Sequence, residues 1–294
     1  MHMLAIDIGG TNIQFGLFQD GELLFLKTIA TPKEAILEAM IAASETFLSD
    51  YQADIAGIGI ASAGIIDAEN GVIKKASNIP SLVGVPVKAE MERVFNVPVF
   101  LNNDANCAAL AEGVYGAAQG MSSYVCMTIG TGIGGGVVLN EKVVNGRSGF
   151  AGEVGHMTLF PGGLQCPCGK KGCWEQYASG SAIKRMIAEH PDGAIADYSP
   201  QQVFECASDN AACQAIVDQF IDHLAIGVTN LQYTFDPEAI VIGGGVIDSS
   251  AYWWDKFVTV LDEHAPIEVI VKQAQLKNHA GLFGASLLIK NEGV

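Results

Sequence analysis

The sequence predicts an α/β protein of two domains, each carrying a hairpin that aims a glycine-rich turn at a shared cleft. Three observations carry this prediction. The chain has 294 residues, which is long for a single hydrophobic core. Short apolar runs that break into Gly/Thr turns alternate with stretches of helical apolar spacing, as in an α/β fold. Finally, "AIDIGGTNIQFGLF" laid over "CMTIGTGIGGGVVL" places Asp7 on Thr128, Ile8 on Ile129 and Gly9 on Gly130. That echo is either the mark of two related sheet domains or a chance likeness of Gly-rich hairpins.

Composition narrows the function classes. Hydrophobic residues make up 49% of the chain and charged residues 16%, a balance that excludes a disordered chain. No run approaches about 20 apolar residues, and "MHMLAIDIGG" lacks the basic flank of a signal peptide, so a cytoplasmic protein without membrane contact is expected. A formal net charge of −16 repels a phosphate backbone and argues against nucleic-acid partners. Seven cysteines, an odd count without an export signal, argue against a disulfide framework. Of these, Cys107, Cys126, Cys206 and Cys213 stand among apolar neighbours and read as free, buried thiols.

In chain order, the stretch from Met3 to Thr31 reads as short strands, with Asp20-Gly21 as a hairpin turn. "TPKEAILEAMIAASETFLSDY" has helical spacing and a Thr/Pro start at Thr31. "IAGIGIASAG" and "VPVFLNND" read as buried strands, the second ending at Asn102, Asn103 and Asp104 before the helical "ANCAALAEGVYGAA". "SYVCMTIGTGIGGGVVLNEKVV" reads as another pair of strands, and "IVDQFIDHLAIGVTNLQYTFDP" as an amphipathic helix stopped by Pro237. "AIVIGGGVI" is a strand breaking into glycines, two helical stretches follow, and "GLFGASLLIKNEGV" closes the chain as a helix that starts at its glycines. No linker separates the halves.

Three turns follow strands: "DIGGTN" (7–12), "GTGIGGG" (130–136) and "GGG" (243–245). Glycine lets backbone N–H groups approach phosphate oxygens closely, and Thr11 and Thr131 add hydroxyl donors. No "GK[ST]" and no dinucleotide spacing accompanies them, so a nucleotide held between two domains fits better than a P-loop or a Rossmann site. Asp104, at a strand-to-helix junction beside two asparagines, is either a base for a substrate hydroxyl, with the asparagine amides holding that substrate, or a helix N-cap. His156, Cys166, Cys168 and Cys173 form H-x9-C-x-C-x4-C, a donor set suited to tetrahedral structural zinc, with Gly169 and Gly172 allowing sharp turns. The alternatives are free thiols on a loop, or a different histidine as fourth ligand. Glu153 and Glu175 flank this loop, either brought together by the metal to hold sugar hydroxyls or left as solvated glutamates.

With "DIGGT", "NDAN", "GTGIGGG", "GExGH", "CxCGxxGCxE" and "IGGG" spread over nearly the whole chain, the sequence resembles the ROK family of bacterial sugar kinases and sugar-responsive repressors. The resemblance implies the actin, hexokinase and Hsp70 fold, two ribonuclease H-like domains around a central cleft. We place the domains at 1–117 plus 283–294 and at 118–282, the second holding the zinc loop 156–173. It implies ATP, Mg²⁺ and structural Zn²⁺ as cofactors, Asp104 as catalytic base, and Asn103, Glu153, His156 and Glu175 on the sugar, with His156 also on zinc. Asp7, Gly9, Gly10, Thr11 and the 130–135 turn, including Thr131, Gly132 and Gly134, would surround phosphates and magnesium. Gly243, Gly244 and Gly245 would lie by the adenosine, and a homodimer is implied.

Two departures from the family pattern bear on substrate. Asn12 stands where many members carry Lys after "GGT", and "NIPSLVG" (78–84) lacks the Trp of many glucokinases, which makes Asn78 a secondary sugar contact and leaves room for a larger substituent. The expected activity is ATP-dependent phosphorylation of the 6-hydroxyl of glucose or a β-glucoside, with N-acetylmannosamine or fructose as alternative acceptors. Two other readings are a sugar-responsive transcription regulator, disfavoured because the first strand begins at Leu4 without a preceding DNA-binding segment, and a catalytically silent sugar-binding module.

Overall fold

The structure is a computed structural model that describes residues 1–191 and 193–291. The chain divides into two compact units: Met1–Tyr115 with Val143–Ala151 and the C-terminal segment from Asn278, and Gly116–Lys142 with Gly152–Lys277.

In the first unit, β1 (His2–Ile8), β2 (Asn12–Gln19), β3 (Glu22–Ala30), β4 (Ile55–Ser62) and β7 (Val99–Asn103) form a sheet ordered β3-β2-β1-β4-β7. A small ribbon of β5 (Ile65–Asp67) and β6 (Val72–Lys75) follows β4. β1 and β2 pair antiparallel, whereas β1–β4 and β4–β7 are parallel. Alternation along β1 explains the layering: Leu4, Ile6 and Ile8 share a core with Ile36, Met40 and Phe47 of α1 (Ile36–Asp50) and Met91 of α2 (Val87–Phe95). Met3 and Ala5 face the other way, onto Cys107 and Leu110 of α3 (Asp104–Tyr115) and Leu282, Ala285 and Ile289 of the C-terminal helix Ala280–Asn291. Asp7 has the parity of this second face.

The hairpin turn holds, with Asp20 (φ 52°) and Gly21 (φ 89°) both left-handed. The start of α1 is corrected: the helix begins at Ile36, not beside Thr31. Thr31 is already committed, its N–H to Thr11 O (2.8 Å) and its hydroxyl to Gly9 O (2.7 Å), so it pins the first glycine turn and cannot cap a helix.

In the second unit, β8 (Tyr124–Ile129), β9 (Ile133–Leu139), β10 (Lys142–Val143), β11 (Ala239–Gly243) and β12 (Val271–Gln273) form a sheet ordered β10-β9-β8-β11-β12. The two sheets share one topology: an antiparallel hairpin whose first strand pairs parallel with a later strand. The internal echo is therefore structural. It slips by one residue at the turn, because Ile8 pairs with Ile13 while Ile129 pairs with Ile133, so the first turn is one residue longer. β12, three residues long, has no signature in the sequence.

Helices α4 (Glu175–Ala178), α5 (Gly180–Glu189), α6 (Pro200–Cys206), α7 (Ala211–Phe235) and α8 (Trp254–His264) complete this unit. Asn210 caps α7, its Oδ1 accepting from the N–H groups of Ala212 and Cys213, and Asp236 ends it in the left-handed conformation before Pro237.

Two expectations are revised. Cys206 and Cys213 are joined as a disulfide rather than free. The end of α6 and the first turn of α7 bring their Cα atoms to 6.3 Å, within bridging range, a proximity that spacing alone does not reveal. The segment Val143–Ala151, assigned from sequence to the second domain, packs in the first unit. There Val143 joins the core under the C-terminal helix, and Gly149 (φ 82°) lies so close to the Ile66 carbonyl that a Cβ would sit 2.0 Å from it.

Candidate active site and metal centre

The β7–α3 junction sets Asn103 and Asp104 side by side at the start of the helix. Asn103 takes the capping role: its Oδ1 accepts from Ala105 N (2.8 Å) and Asn106 N (3.3 Å), while its amide donates to Gly64 O (2.8 Å). Asp104 is the first helical residue, and its carboxylate accepts a short-range bond from Ala105 N (2.9 Å). Burial pushes the Asp104 carboxyl above the usual range, a shift partly opposed by backbone hydrogen bonding. Such a carboxylate is a stronger base than an exposed one. Asn103 is thus occupied in holding the junction, with one of its two amide hydrogens directed to Gly64.

Asp7 lies at the end of β1 in the same unit. Burial, and secondly the charge of Asp104, raise its carboxyl from 3.8 to about 7. A Cβ at Gly281 would sit 2.6 Å from Asp7 Oδ2, so the first turn of the C-terminal helix presses on this carboxylate. The sign of the linkage follows: the folded state keeps a proton that the unfolded chain loses near pH 4, so stability falls as pH rises from about 4 to about 7. In magnesium-free buffer, Asp7→Asn should raise the melting temperature by a few °C at pH 8 and little at pH 4. Melting curves at the two pH values check this; equal shifts would show that Asp7 bears no charge penalty.

Gly10 abuts Asn78, whose Cβ would be 2.9 Å from a Cβ built there, so Asn78 is an exposed neighbour of the first glycine turn. Thr11 is exposed in the same turn, and Gly9 N donates to Asn12 O (3.0 Å). The second turn closes in the same way, by Gly130 N to Gly132 O (3.0 Å). Its span is 130–132: Gly134 is a β9 ladder residue opposite Thr128, which narrows the turn read from sequence. Gly243 ends β11, and Gly244 (φ 88°) touches the Ile129 backbone so closely that a Cβ would lie 2.5 Å from Ile129 O. Gly245 opens a 3₁₀ segment, Gly245–Tyr252, with free space around it.

In the loop 156–173, His156, Cys166, Cys168 and Cys173 bring their ligand atoms within 4.8 Å of one another, a cluster that could hold a metal ion. Cys168 and Cys173 sulfurs lie 3.6 Å apart, and His156 Nδ1 lies 3.7 Å from Cys166 Sγ. Zinc–sulfur bonds of about 2.3 Å in a tetrahedron require edges of about 3.8 Å, so the donors fit the ion and His156 would bind through Nδ1. Gly169 (φ 97°) and Gly172 (φ 79°) make the turns, and a Cβ on Gly172 would stand 1.7 Å from Phe160 O. Burial raises the Cys166 and Cys173 thiols, so they need a cation to persist as thiolates.

Both glutamates gather on this knot. His156 Nε2 is 3.8 Å from Glu153 Oε2, and Glu175 Oε1 is 3.5 Å from His156 Nδ1 and 3.1 Å from Cys166 Sγ. Glu175 also reaches the second glycine turn, its Oε2 lying 2.6 Å from a Cβ built on Gly132. Behind it, Trp174 is fully buried, donates to His223 O (2.9 Å), and presses on α7 where Gly227 has no side chain to obstruct it. The long helix is therefore the floor under the metal loop.

A family model described as "ROK family" matches residues 3–292. The chain belongs to the ROK family. It is 33% identical to a glucokinase of Streptomyces coelicolor, over 98% of this chain and 97% of that one. It is equally 33% identical to an N-acetylmannosamine kinase of Haemophilus influenzae, over 99% of this chain and 96% of that one. A ROK hexokinase from Thermus thermophilus superposes with a TM-score of 0.89 at 35% identity, covering 99% of both chains. The fold is thus that of the ROK hexokinases, and the chain is an ATP-dependent sugar kinase.

Two polar residues of the site escaped the sequence reading of this ROK chain. Asn106 is 4% exposed, and its amide donates to Asn102 Oδ1 (3.0 Å) and Asn145 Oδ1 (3.2 Å). The signal was an asparagine set among the alanines of "DANCAALAE", where burial of a polar side chain demands partners. For Asn145, 39 residues downstream, the sequence holds no signal.

Proposed function

We propose that this kinase transfers the γ-phosphate of ATP to the 6-hydroxyl of glucose or of a β-glucoside. The observation that carries the reading is the division of labour at the β7–α3 junction. Asn103 caps the helix, and Asp104 is left with a base-strengthened carboxylate in a chain one third identical to a glucokinase. Asp104 removes the hydroxyl proton as that oxygen attacks the γ-phosphorus, and the ADP oxygen leaves with the bond electrons. Glu153, His156 and Glu175, with Asn103 and Asn78, hold the sugar hydroxyls. Asp7, Gly9, Gly10, Thr11, Thr131, Gly132 and Gly134 attend the phosphates, and Gly243 to Gly245 the adenosine.

Magnesium would be held beside Asp7, since a buried carboxylate near a second one suits a divalent cation; bound there, it neutralises phosphate charge. Zinc on His156, Cys166, Cys168 and Cys173 is structural. Its removal is expected to weaken sugar binding at least ~10-fold while leaving nucleotide binding near the parent value. Titrating sugar and ADP separately into chelated protein checks this, and unchanged sugar affinity would disconnect the metal from recognition.

A second reading, N-acetylmannosamine phosphorylation, is favoured by the equal identity to the Haemophilus influenzae enzyme and by the absence of Trp in 78–84. ADP release measured with glucose, a β-glucoside, N-acetylmannosamine and fructose decides between them. The first reading requires the highest kcat/KM on glucose or the β-glucoside, and no turnover of any hexose would overturn both.

A further inference from the structure

Among the interlocked carboxamides around Asp104, Asn106 is set apart by its burial and its bonding. Asn106 is almost wholly buried, and among the described residues both of its side-chain hydrogen bonds run from Nδ2, while its buried Oδ1 meets no donor. An unpaired buried acceptor costs stability that an apolar side chain of similar size would avoid. What the amide achieves is geometric. Asn102 Oδ1, which it grips at 3.0 Å, also accepts Asn103 N (2.8 Å), and Asn106 N itself donates to Asn103 Oδ1. The residues on both sides of Asp104 are thereby held to one frame. The second Nδ2 bond reaches Asn145, in the segment Val143–Ala151 that packs in this unit and continues through Gly152 to Glu153.

We propose that Asn106 is a positioning residue for phosphoryl transfer: its amide, donating to Asn102 and Asn145, locks the β7–α3 junction so that Asp104 meets the acceptor hydroxyl. The inference deepens the reading of Asp104 as base and rests on it. An aspartate at 106 would place an oxygen against two acceptor oxygens, so shape alone does not substitute for the amide hydrogens.

The test measures kcat, KM for sugar and for ATP, and melting temperature in Asn106→Ala and Asn106→Asp, each alone and combined with Asp104→Asn. The expected result is a ~10- to 100-fold fall in kcat, KM for ATP within about 2-fold of the parent, and no further loss when Asn106→Ala is added to Asp104→Asn. Parent-level kcat in Asn106→Ala, or a full additional loss in the double variant, overturns the proposal. Turnover by Asp104→Asn would instead remove the base on which it rests, so the two failures are distinct. Asn145→Ala, which leaves Asn106 and its bond to Asn102 in place, serves if the Asn106 variants do not fold. A several-fold fall in its kcat supports the proposal, and parent-level kcat overturns it.

Discussion

Asp104→Asn is expected to lower kcat by at least ~10³-fold while changing sugar affinity little. The amide is nearly isosteric with the carboxylate and accepts the same bond from Ala105 N, so the helix start survives. What is lost is the acceptor for the hydroxyl proton. On the proposed role a further signature is expected of the parent: a kcat that declines as pH falls through the raised Asp104 range, because the protonated carboxyl is no base. The variant's residual rate should lack that limb. Titration of sugar beside an ADP-release assay reads both quantities, and turnover near the parent value would take Asp104 out of the role.

Gly284→Val is expected to destabilise the first unit by more than about 4 kcal/mol, with Gly284→Ala already severe. A Cβ built at Gly284 falls 1.8 Å from Cys107 O and 2.2 Å from its carbonyl carbon, both backbone atoms of α3 that cannot swing aside. On the neighbouring strand, Gly59 has the same relation to the helix: a Cβ there would lie 1.9 Å from Ala285 O. The C-terminal helix is thus seated by backbone contact against α3 and β4, and its first turn reaches Asp7. Opening that contact moves the carboxylate as well as the core. Urea unfolding of Gly284→Ala, Gly59→Ala and Gly193→Ala tests the idea. The third site has open space around it and should change by less than about 1 kcal/mol. Equal, small effects at all three would show that the helix adjusts freely.

The legible parts of this protein were those that local chemistry dictates. Strand alternation, the Asp20-Gly21 turn, Pro237 ending α7 and the H-x9-C-x-C-x4-C donor set each depend on residues near one another in the chain. Thr31 misled because a Thr-Pro pair signals a helix start only while its hydroxyl is free, and here a glycine carbonyl 22 residues away claims it. The one-residue slip of the internal echo was hidden because both turns are glycine-rich and only strand pairing counts their length. Cys206 and Cys213 read as buried thiols because apolar neighbours say nothing about the angle at which α6 meets α7.

By itself the sequence determined the two-sheet α/β architecture, the donor set of the metal loop and the candidacy of Asp104, since periodicity, turn chemistry and ligand type are properties of short stretches. Only the tertiary structure decided that Asn103 caps α3 and Asp104 does not, that Glu175 lies on both His156 and the Gly132 turn, and that Asn106 and Asn145 share a hydrogen bond. These are contacts between groups that are far apart in the chain or compete for the same partner. Which of them forms is settled by packing, because most buried polar atoms must find partners within hydrogen-bond distance once the layers have closed.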